Sequence, residues 1–260
     1  MSGSLNVGSA PEEAFNFAAS REGRVFRDLP GRKTLRFEYC GKSYFLKYHS
    51  GVGWREILKN ICLLKRPVIC AQDERRAIEV LSQAGVDTMT LAAFGVRGVN
   101  PAAIESFLIT EELKPTLSLE DFIGSDRAAD TRLRRGIIRK VAKMTSIMHS
   151  VGMNHRDLYL CHFLLDTACL EKGGIKISLI DLHRAQIRSQ VPARWRAKDL
   201  ASLYFSAWAA GLTDRERLLF LSCYFELPLK VIFKREKRLL QWLELESYRL
   251  RVKFERKYAG

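Results

Sequence analysis

Apolar and polar residues alternate along the chain from Thr34 to His49. Leu35, Phe37 and Tyr39 fall on one face, and Tyr44, Leu46 and Tyr48 repeat the pattern after Gly41-Lys42. That alternation predicts a β-hairpin with its turn at Gly41-Lys42. Phe45 and Lys47 share the opposite face, because side chains repeat every two residues along a strand. The period then changes. Ala77, Ile78 and Leu81 give the segment from Ala71 to Ala84 an apolar helical face, and Gly85 marks its end. A further strand is expected over Phe107 to Thr110, running into the polar Glu111-Glu112 and then Pro115. From Asp130 to His149 a single stripe of Leu133, Ile137, Val141, Met144 and Met148 predicts an amphipathic helix. Short strands are expected at Phe163 to Leu165 and Ile175 to Ile180, and helices from about Lys198 onward. Residues 1–20 are small and polar and read as a flexible lead-in. Strands with one helix early, and mainly helices later, predict an α+β chain in two parts that meet near Glu111 to Pro115.

Composition narrows the function classes. The chain has 260 residues, 47% hydrophobic and 10% aromatic, enough to build a core rather than a disordered tail. Its longest mostly apolar stretch, Leu200 to Leu212, is too short for the roughly 20 residues a bilayer span takes. The N-terminus lacks the basic and apolar regions of a secretory signal. Six cysteines without a C-x-x-C pair read as reduced thiols rather than a disulfide framework. The net charge of +14 favours anionic partners of several classes. Six basic residues and no acid lie between Thr131 and Lys143, and the tail from Leu227 carries ten Lys/Arg against four Glu. No zinc-finger spacing, RNP signature or KH loop is present, so nucleic acid is not the expected partner.

Gly41-Lys42-Ser43 invites a P-loop reading, but the first Gly of that motif would fall at Arg36 and no helix follows. Four of the five histidines lie between His149 and His183, yet no H-E-x-x-H or cysteine pair supports zinc. The stronger signal is His155-Arg156-Asp157 followed by Leu179-Ile180-Asp181. Phosphoryl transfer needs one carboxylate to orient a hydroxyl and a separate oxygen cluster to hold Mg²⁺ against polyphosphate. Lys47, in a strand, precedes by 27 residues Glu74, which opens a helix and is able to pair with it; Glu79 on the same helix competes for that place. Asp199 follows at a distance, either bracing the loop or capping a helix.

These residues, in this order, resemble the protein-kinase superfamily. Several features depart from ordinary protein kinases. His162 stands five residues after Asp157 where Asn is usual, the metal motif is Asp181-Leu182-His183, and no G-x-G-x-x-G is present, with Glu22 to Arg32 as the candidate phosphate cover. Only about 18 residues separate Asp181 from Asp199, which leaves little room for a peptide-binding loop. With His155-Arg156-Asp157 to His162-Phe163-Leu164-Leu165, Asp181-Leu182-His183 and the Glu74-Arg75-Arg76-Ala77-Ile78 helix, the chain resembles the lipopolysaccharide core heptose(I) kinase family from about residue 20 onward.

The resemblance implies a two-lobed protein-kinase-like fold. Its small antiparallel N-lobe with one helix would span 21–113, and its mainly helical C-lobe 114–260. It implies ATP-dependent phosphorylation of the first heptose of the lipopolysaccharide inner core, with a Kdo kinase or a bacterial protein kinase as the alternatives. By position Asp157 would be the base, Asp181 and His162 would hold Mg²⁺, and Lys47 would bind phosphates, oriented by Glu74. Backbone groups of Glu111 and Leu113 would bind adenine. His162 also has the alternative of hydrogen-bonding Asp157 or a phosphate, since imidazole is softer than the oxygen ligands Mg²⁺ prefers. The implied partners are a lipid-linked core saccharide, an anionic membrane surface and an acidic protein such as acyl carrier protein. The implied location is the cytoplasmic side of a Gram-negative inner membrane, as a peripheral protein.

Overall fold

The structure, a computed structural model, describes residues 5–8, 10–62 and 68–258, with the side chains of 257 and 258 left aside. The chain divides into two compact units. One takes the chain up to Glu79 together with Met89–Leu113, and the other takes Val80–Thr88 and everything from Lys114.

The first unit contains helix α1 (Pro11–Ala19), strands β1 (Arg24–Leu29), β2 (Arg32–Tyr39) and β3 (Lys42–Ser50), helix α2 (Gly53–Cys62), most of helix α3 (Gln72–Gln83), and strands β4 (Leu91–Arg97) and β5 (Glu105–Glu111). The strands form one antiparallel sheet in the order β1-β2-β3-β5-β4. The expected hairpin is β2–β3, but its turn lies one residue earlier than the pattern suggested. Tyr39 pairs with Lys42, so Cys40 and Gly41 make the turn. Both have positive φ, 48° and 73°, which a two-residue turn of the type matching strand twist requires.

Two expectations fail in this unit. The supposed lead-in folds from Pro11 onward as α1, while residues 1–4 and 9 lie outside the described residues. And among the described residues three helices, not one, accompany the sheet. The shortness of α1, nine residues, hid its purpose. Phe15 and Ala18, three apart and so on one face, are buried among Leu35, Phe37, Tyr44, Leu46, Phe107 and Ile109. Phe15 meets Phe107 edge to face with ring centres 5.0 Å apart, and Arg97 lies 4.3 Å from its ring centre. Phe15→Ala is expected to cost about 3–5 kcal/mol, as emptied aromatic sites do. Urea unfolding measures this, and a loss under about 0.5 kcal/mol, the usual scale of a surface substitution, would show that α1 is dispensable to the sheet.

The second unit contains β6 (Thr116–Ser118), α4 (Leu119–Ile123), α5 (Thr131–Ser150), β7 (Met153–Asn154), β8 (Phe163–Asp166), α6 (Thr167–Glu171), β9 (Ile177–Leu179), β10 (Gln186–Ile187), α7 (Ala193–Ala209), α8 (Asp214–Phe225), α9 (Leu229–Arg235) and α10 (Lys237–Tyr258). Its strands make two small antiparallel sheets, β6-β8-β9 and β10-β7. Helix α5 begins where the sequence placed it, with the Asp130 carboxylate accepting from the N–H groups of Arg132 and Leu133. Ile137, Val141, Met144 and Met148 of the stripe are buried, and Ala142, Leu200, Ala201, Tyr224 and Leu243 form a second core. Gly152, just past α5, has φ +78°, and a Cβ there would fall 1.9 Å from the Arg188 carbonyl. The position is closed to any side chain, and this close approach lets β7 pair with β10.

Among the described residues no helix is long and apolar enough to cross a membrane.

Candidate functional site

In the first unit, β3 lies inside the sheet and carries Lys47, paired across the ladders with Thr34 of β2 and Leu108 of β5. Its ammonium lies 2.6 Å from Glu74 Oε1. Glu74 is 1% exposed, in the first turn of α3, where the helix dipole favours an acid. The rival Glu79 is engaged elsewhere, its Oε1 accepting from Arg75 Nε at 2.8 Å. Such a buried pair is costly to split, because the remaining carboxylate would be left uncompensated.

The end of β5 is fixed with equal care. The Glu111 N–H donates to the Thr90 carbonyl and the Glu112 N–H to the Ser43 carbonyl, each at 2.9 Å. The Glu112 carboxylate takes Arg36 Nε at 2.8 Å, and Arg36 also donates to Ser43 Oγ. With its N–H spent, Glu111 has its carbonyl as the backbone group to offer a ligand. Glu22 to Arg32, the candidate phosphate cover, is β1 and its turn into β2, exposed along the whole strand. Gly41-Lys42-Ser43 sits in the hairpin, with no helix start behind it.

In the second unit the loop from His155 to His162 is pinned by hydrogen bonds from several directions. The Asp199 carboxylate, inside α7 and 1% exposed, accepts the N–H groups of His155 at 2.6 Å and Arg156 at 2.7 Å. It is therefore a loop brace and not a helix cap. Its Oδ2 also takes His149 Nε2 at 3.3 Å, and His149 Nδ1 accepts from the Tyr224 hydroxyl at 2.8 Å. Burial pushes the Tyr224 phenol up and so keeps its proton in place.

Arg156, the second residue of the braced pair, is held at φ +75°. His155 is fully buried, and desolvation pushes its pKa down. It uses both ring nitrogens in the neutral form: Nε2–H donates to the Ile180 carbonyl at 2.9 Å, and Nδ1 accepts the Asp157 N–H at 3.3 Å. His162 stacks on His155 with ring centres 5.6 Å apart. Its Nδ1–H donates to the Asp157 carbonyl at 2.6 Å. That bond places the proton on Nδ1 and turns the Nε2 lone pair towards Asp181, whose Oδ2 is 3.7 Å away. Asp181, in the left-handed region at φ +60°, accepts His183 Nδ1–H on Oδ1 at 2.7 Å.

His162 thus links the Asp157 backbone to the Asp181 carboxylate. Asp157 offers a carboxylate 21% exposed, both of whose oxygens are touched by Arg184 Nη1, at 2.7 and 2.9 Å. Arg184 and the second-layer role of His183 were not assigned from the sequence. The one available signal was that both follow Asp181 directly in Asp181-Leu182-His183-Arg184. Among the described residues no three His, Cys, Asp or Glu side chains group as a metal site on their own.

Away from these residues an apolar cavity of about 70 Å³ lies among Leu119, Ile137, Val141, Leu203, Phe220 and Leu243. At its wall Arg134 and Glu216 are bonded to each other through two contacts of 2.7 Å.

Known proteins resemble this one closely. The sequence profile described as "Lipopolysaccharide kinase (Kdo/WaaP) family" matches residues 17–224. The lipopolysaccharide core heptose(I) kinase WaaP of Pseudomonas aeruginosa is 48% identical over 248 residues, 94% of this chain and 91% of that protein. The protein of the same name from Escherichia coli K12 is 47% identical over 249 residues, 95% of this chain and 94% of its own length. A solved structure described as "WaaP in complex with acyl carrier protein" superposes with a TM-score of 0.77 at 44% identity, covering 91% of this chain and 92% of that one. With a profile match over most of its length, and near half identity to relatives along almost all of it, the chain belongs to the lipopolysaccharide kinase (Kdo/WaaP) family.

Proposed function

We infer that the protein is an ATP-dependent kinase that phosphorylates the first heptose of the lipopolysaccharide inner core. The observation that carries this reading is the 47–48% identity to named heptose(I) kinases along 94–95% of the chain. The geometry supplies the parts such a reaction uses. The sheet-rich unit is the N-lobe and the helical unit the C-lobe of a protein-kinase-like fold. Lys47, oriented by Glu74, binds nucleotide phosphates. The Glu111 carbonyl and the Leu113 backbone N–H bind the adenine edge.

In the transfer, the acceptor hydroxyl oxygen forms a bond to the γ-phosphorus while the bond to the bridging oxygen breaks, and ADP leaves with that electron pair. Asp157 orients the hydroxyl and takes its proton. Arg184, touching both Asp157 oxygens, holds the carboxylate in one rotamer.

Of the donors here the Asp181 carboxylate suits Mg²⁺, while His162 Nε2 is softer than the oxygen ligands that ion prefers. Asp181 Oδ2 and the Nε2 lone pair of His162 are two acceptors 3.7 Å apart, an arrangement a cation between them relieves. Mg²⁺ commonly takes one or two protein ligands and completes its shell with substrate phosphates and water. When bound, it would neutralise charge on the polyphosphate.

The exposed face of α5 supports an acidic partner. Of its six basic residues, Arg134 pairs with Glu216, Lys140 with Asp87 and Lys143 with Glu226. Arg132, Arg135 and Arg139 remain exposed with no ion pair among the described residues, and at that spacing they share one face. Acyl carrier protein, the partner in the solved relative, is our candidate for that face. The protein would work as a peripheral protein at the cytoplasmic face of the inner membrane, where its lipid-linked acceptor is exposed.

Incubation of the purified protein with ATP, acyl carrier protein and defined core saccharides, read by mass spectrometry, tests the assignment. One phosphate on the first heptose is expected. Phosphate on Kdo would favour the sister activity, and faster labelling of a protein substrate would overturn the sugar assignment.

A further inference from the structure

An excess of positive charge is concentrated beside Asp157, in the second unit alone. Three cations converge on one indole. The Arg156 guanidinium carbon lies 5.2 Å from the Trp195 ring centre, that of Arg194 5.6 Å and the Lys198 ammonium 5.1 Å. No two of them are more than about 11 Å apart, close to the screening length of about 8–10 Å, so they repel one another. Trp195 offers each an attractive ring face, but a neutral ring offsets no charge.

The first turn of α7, which carries Arg194 and Trp195, holds no acid and has no side-chain cap at Pro192. Arg194 and Arg196 therefore stand at the positive end of the helix dipole, where cations are disfavoured. Arg196 is relieved by Glu236 at 3.4 Å. Arg194 and Lys198 have no ion pair among the described residues. The nearby acids are already taken, Asp199 by the loop N–H groups and Asp157 by Arg184. Burial, and then the neighbouring Arg184, push the Arg156 guanidinium below its ordinary pKa, with Asp157 and Asp199 opposing the shift and Arg188 adding to it.

Arg188 is oriented without being neutralised. Its guanidinium donates to the side-chain oxygens of Asn154, at 2.7 Å, and Gln186, both uncharged. Asn154 Nδ2 is buried with no acceptor, so the local balance runs to donors throughout.

We propose that Arg156, Arg194 and Lys198, gathered on Trp195 with Arg188 beside them, form an anion subsite that reads a carboxylate or phosphate borne by the part of the acceptor adjoining the sugar that is phosphorylated. The proposal rests on the reading of the protein as a core-saccharide kinase. It adds the group by which the acceptor is recognised. A sugar-acid carboxylate and a saccharide phosphate share the chemistry, with two or three acceptor oxygens suited to guanidinium forks.

The test uses the full chain with ATP and three acceptors: the native saccharide, its carboxylate methyl ester, and a dephosphorylated form. For Arg194→Ala/Lys198→Ala on the native acceptor, the acceptor KM is expected to rise at least tenfold, while kcat at saturation and the KM for ATP hold. If the carboxylate is read, the wild type loses the same factor on the methyl ester and the double variant loses nothing more. If the phosphate is read, that pattern moves to the dephosphorylated acceptor. A KM difference that persists at full size on both neutralised acceptors, or no difference on the native one, overturns the subsite.

Absence of wild-type turnover on every acceptor would instead sink the kinase reading. The subsite is then judged by tryptophan fluorescence. A salt-sensitive change on adding the native saccharide, lost in Trp195→Leu and in the double variant, supports it, and no such change overturns it.

Discussion

Asp157→Asn is expected to fold as the wild type does and to turn over core saccharide about a hundred- to ten-thousand-fold more slowly, the usual worth of a positioned general base. The substitution keeps the shape and removes the proton acceptor. The backbone of this residue does not depend on its carboxylate. Its N–H is held by His155 Nδ1 and its carbonyl by His162 Nδ1–H, so the loop stays in place when the charge is lost. Arg184 loses an ionic partner but keeps an amide oxygen in reach. The KM for ATP should therefore change little and the loss should fall on kcat. Steady-state kinetics beside a thermal melt measures both. Turnover within tenfold of the wild type would leave Asp157 as no more than the anchor for Arg184, and would place the base elsewhere.

Asp199→Ala should damage the molecule in a different way, through stability as well as activity. The carboxylate is buried and satisfies two consecutive N–H groups and a histidine. Removing it strands those donors inside the protein. Hydrogen bonds to charged groups are worth about 1.5–3 kcal/mol each, so about 3–5 kcal/mol should be lost. For a chain of this size that lowers Tm by roughly 10 °C. The brace also holds Arg156 at φ +75°, a conformation that persists only where the surroundings impose it. Turnover should therefore remain low even well below the lowered Tm. Asp199→Asn, which keeps one acceptor oxygen, should fall between the two. A Tm within about 2 °C of the wild type would remove Asp199 from the framework of the loop.

Charged groups that act through near sequence neighbours were legible. His155 to His162 and Asp181-Leu182-His183 are short runs whose chemistry is local, and in the structure His162 touches both the Asp157 backbone and the Asp181 carboxylate. Lys47 and Glu74 were legible for a related reason, since each sits at a position set by a periodic element. What was hidden depended on context. Helix α1 is nine residues long, too short for a repeating stripe to stand out, and its packing on Phe37 and Phe107 makes Phe15 a core residue. Strand β1 is exposed along its length and so has no alternation to read. Arg184 meets Asp157 across 27 residues of chain, a pairing that no period encodes. The basic run of α5 read as one charged face, but half of it is neutralised by acids 53 to 83 residues distant.

Helix α7 joins two of these features along one rigid rod. Arg194 lies in its first turn and Lys198 in its second, directly before Asp199, which holds the Asp157 loop. At 1.5 Å per residue, Arg194 and Asp199 are separated by about 7.5 Å along the axis, and a helix hardly stretches. An anion held at the first turn is thereby measured off against the proton acceptor. Regiochemistry would follow from that fixed interval. Of the several hydroxyls on a heptose ring, the one that reacts would be the one whose distance from the neighbouring charge matches the helix. An isomeric linkage would present its anion correctly and its hydroxyl in the wrong place.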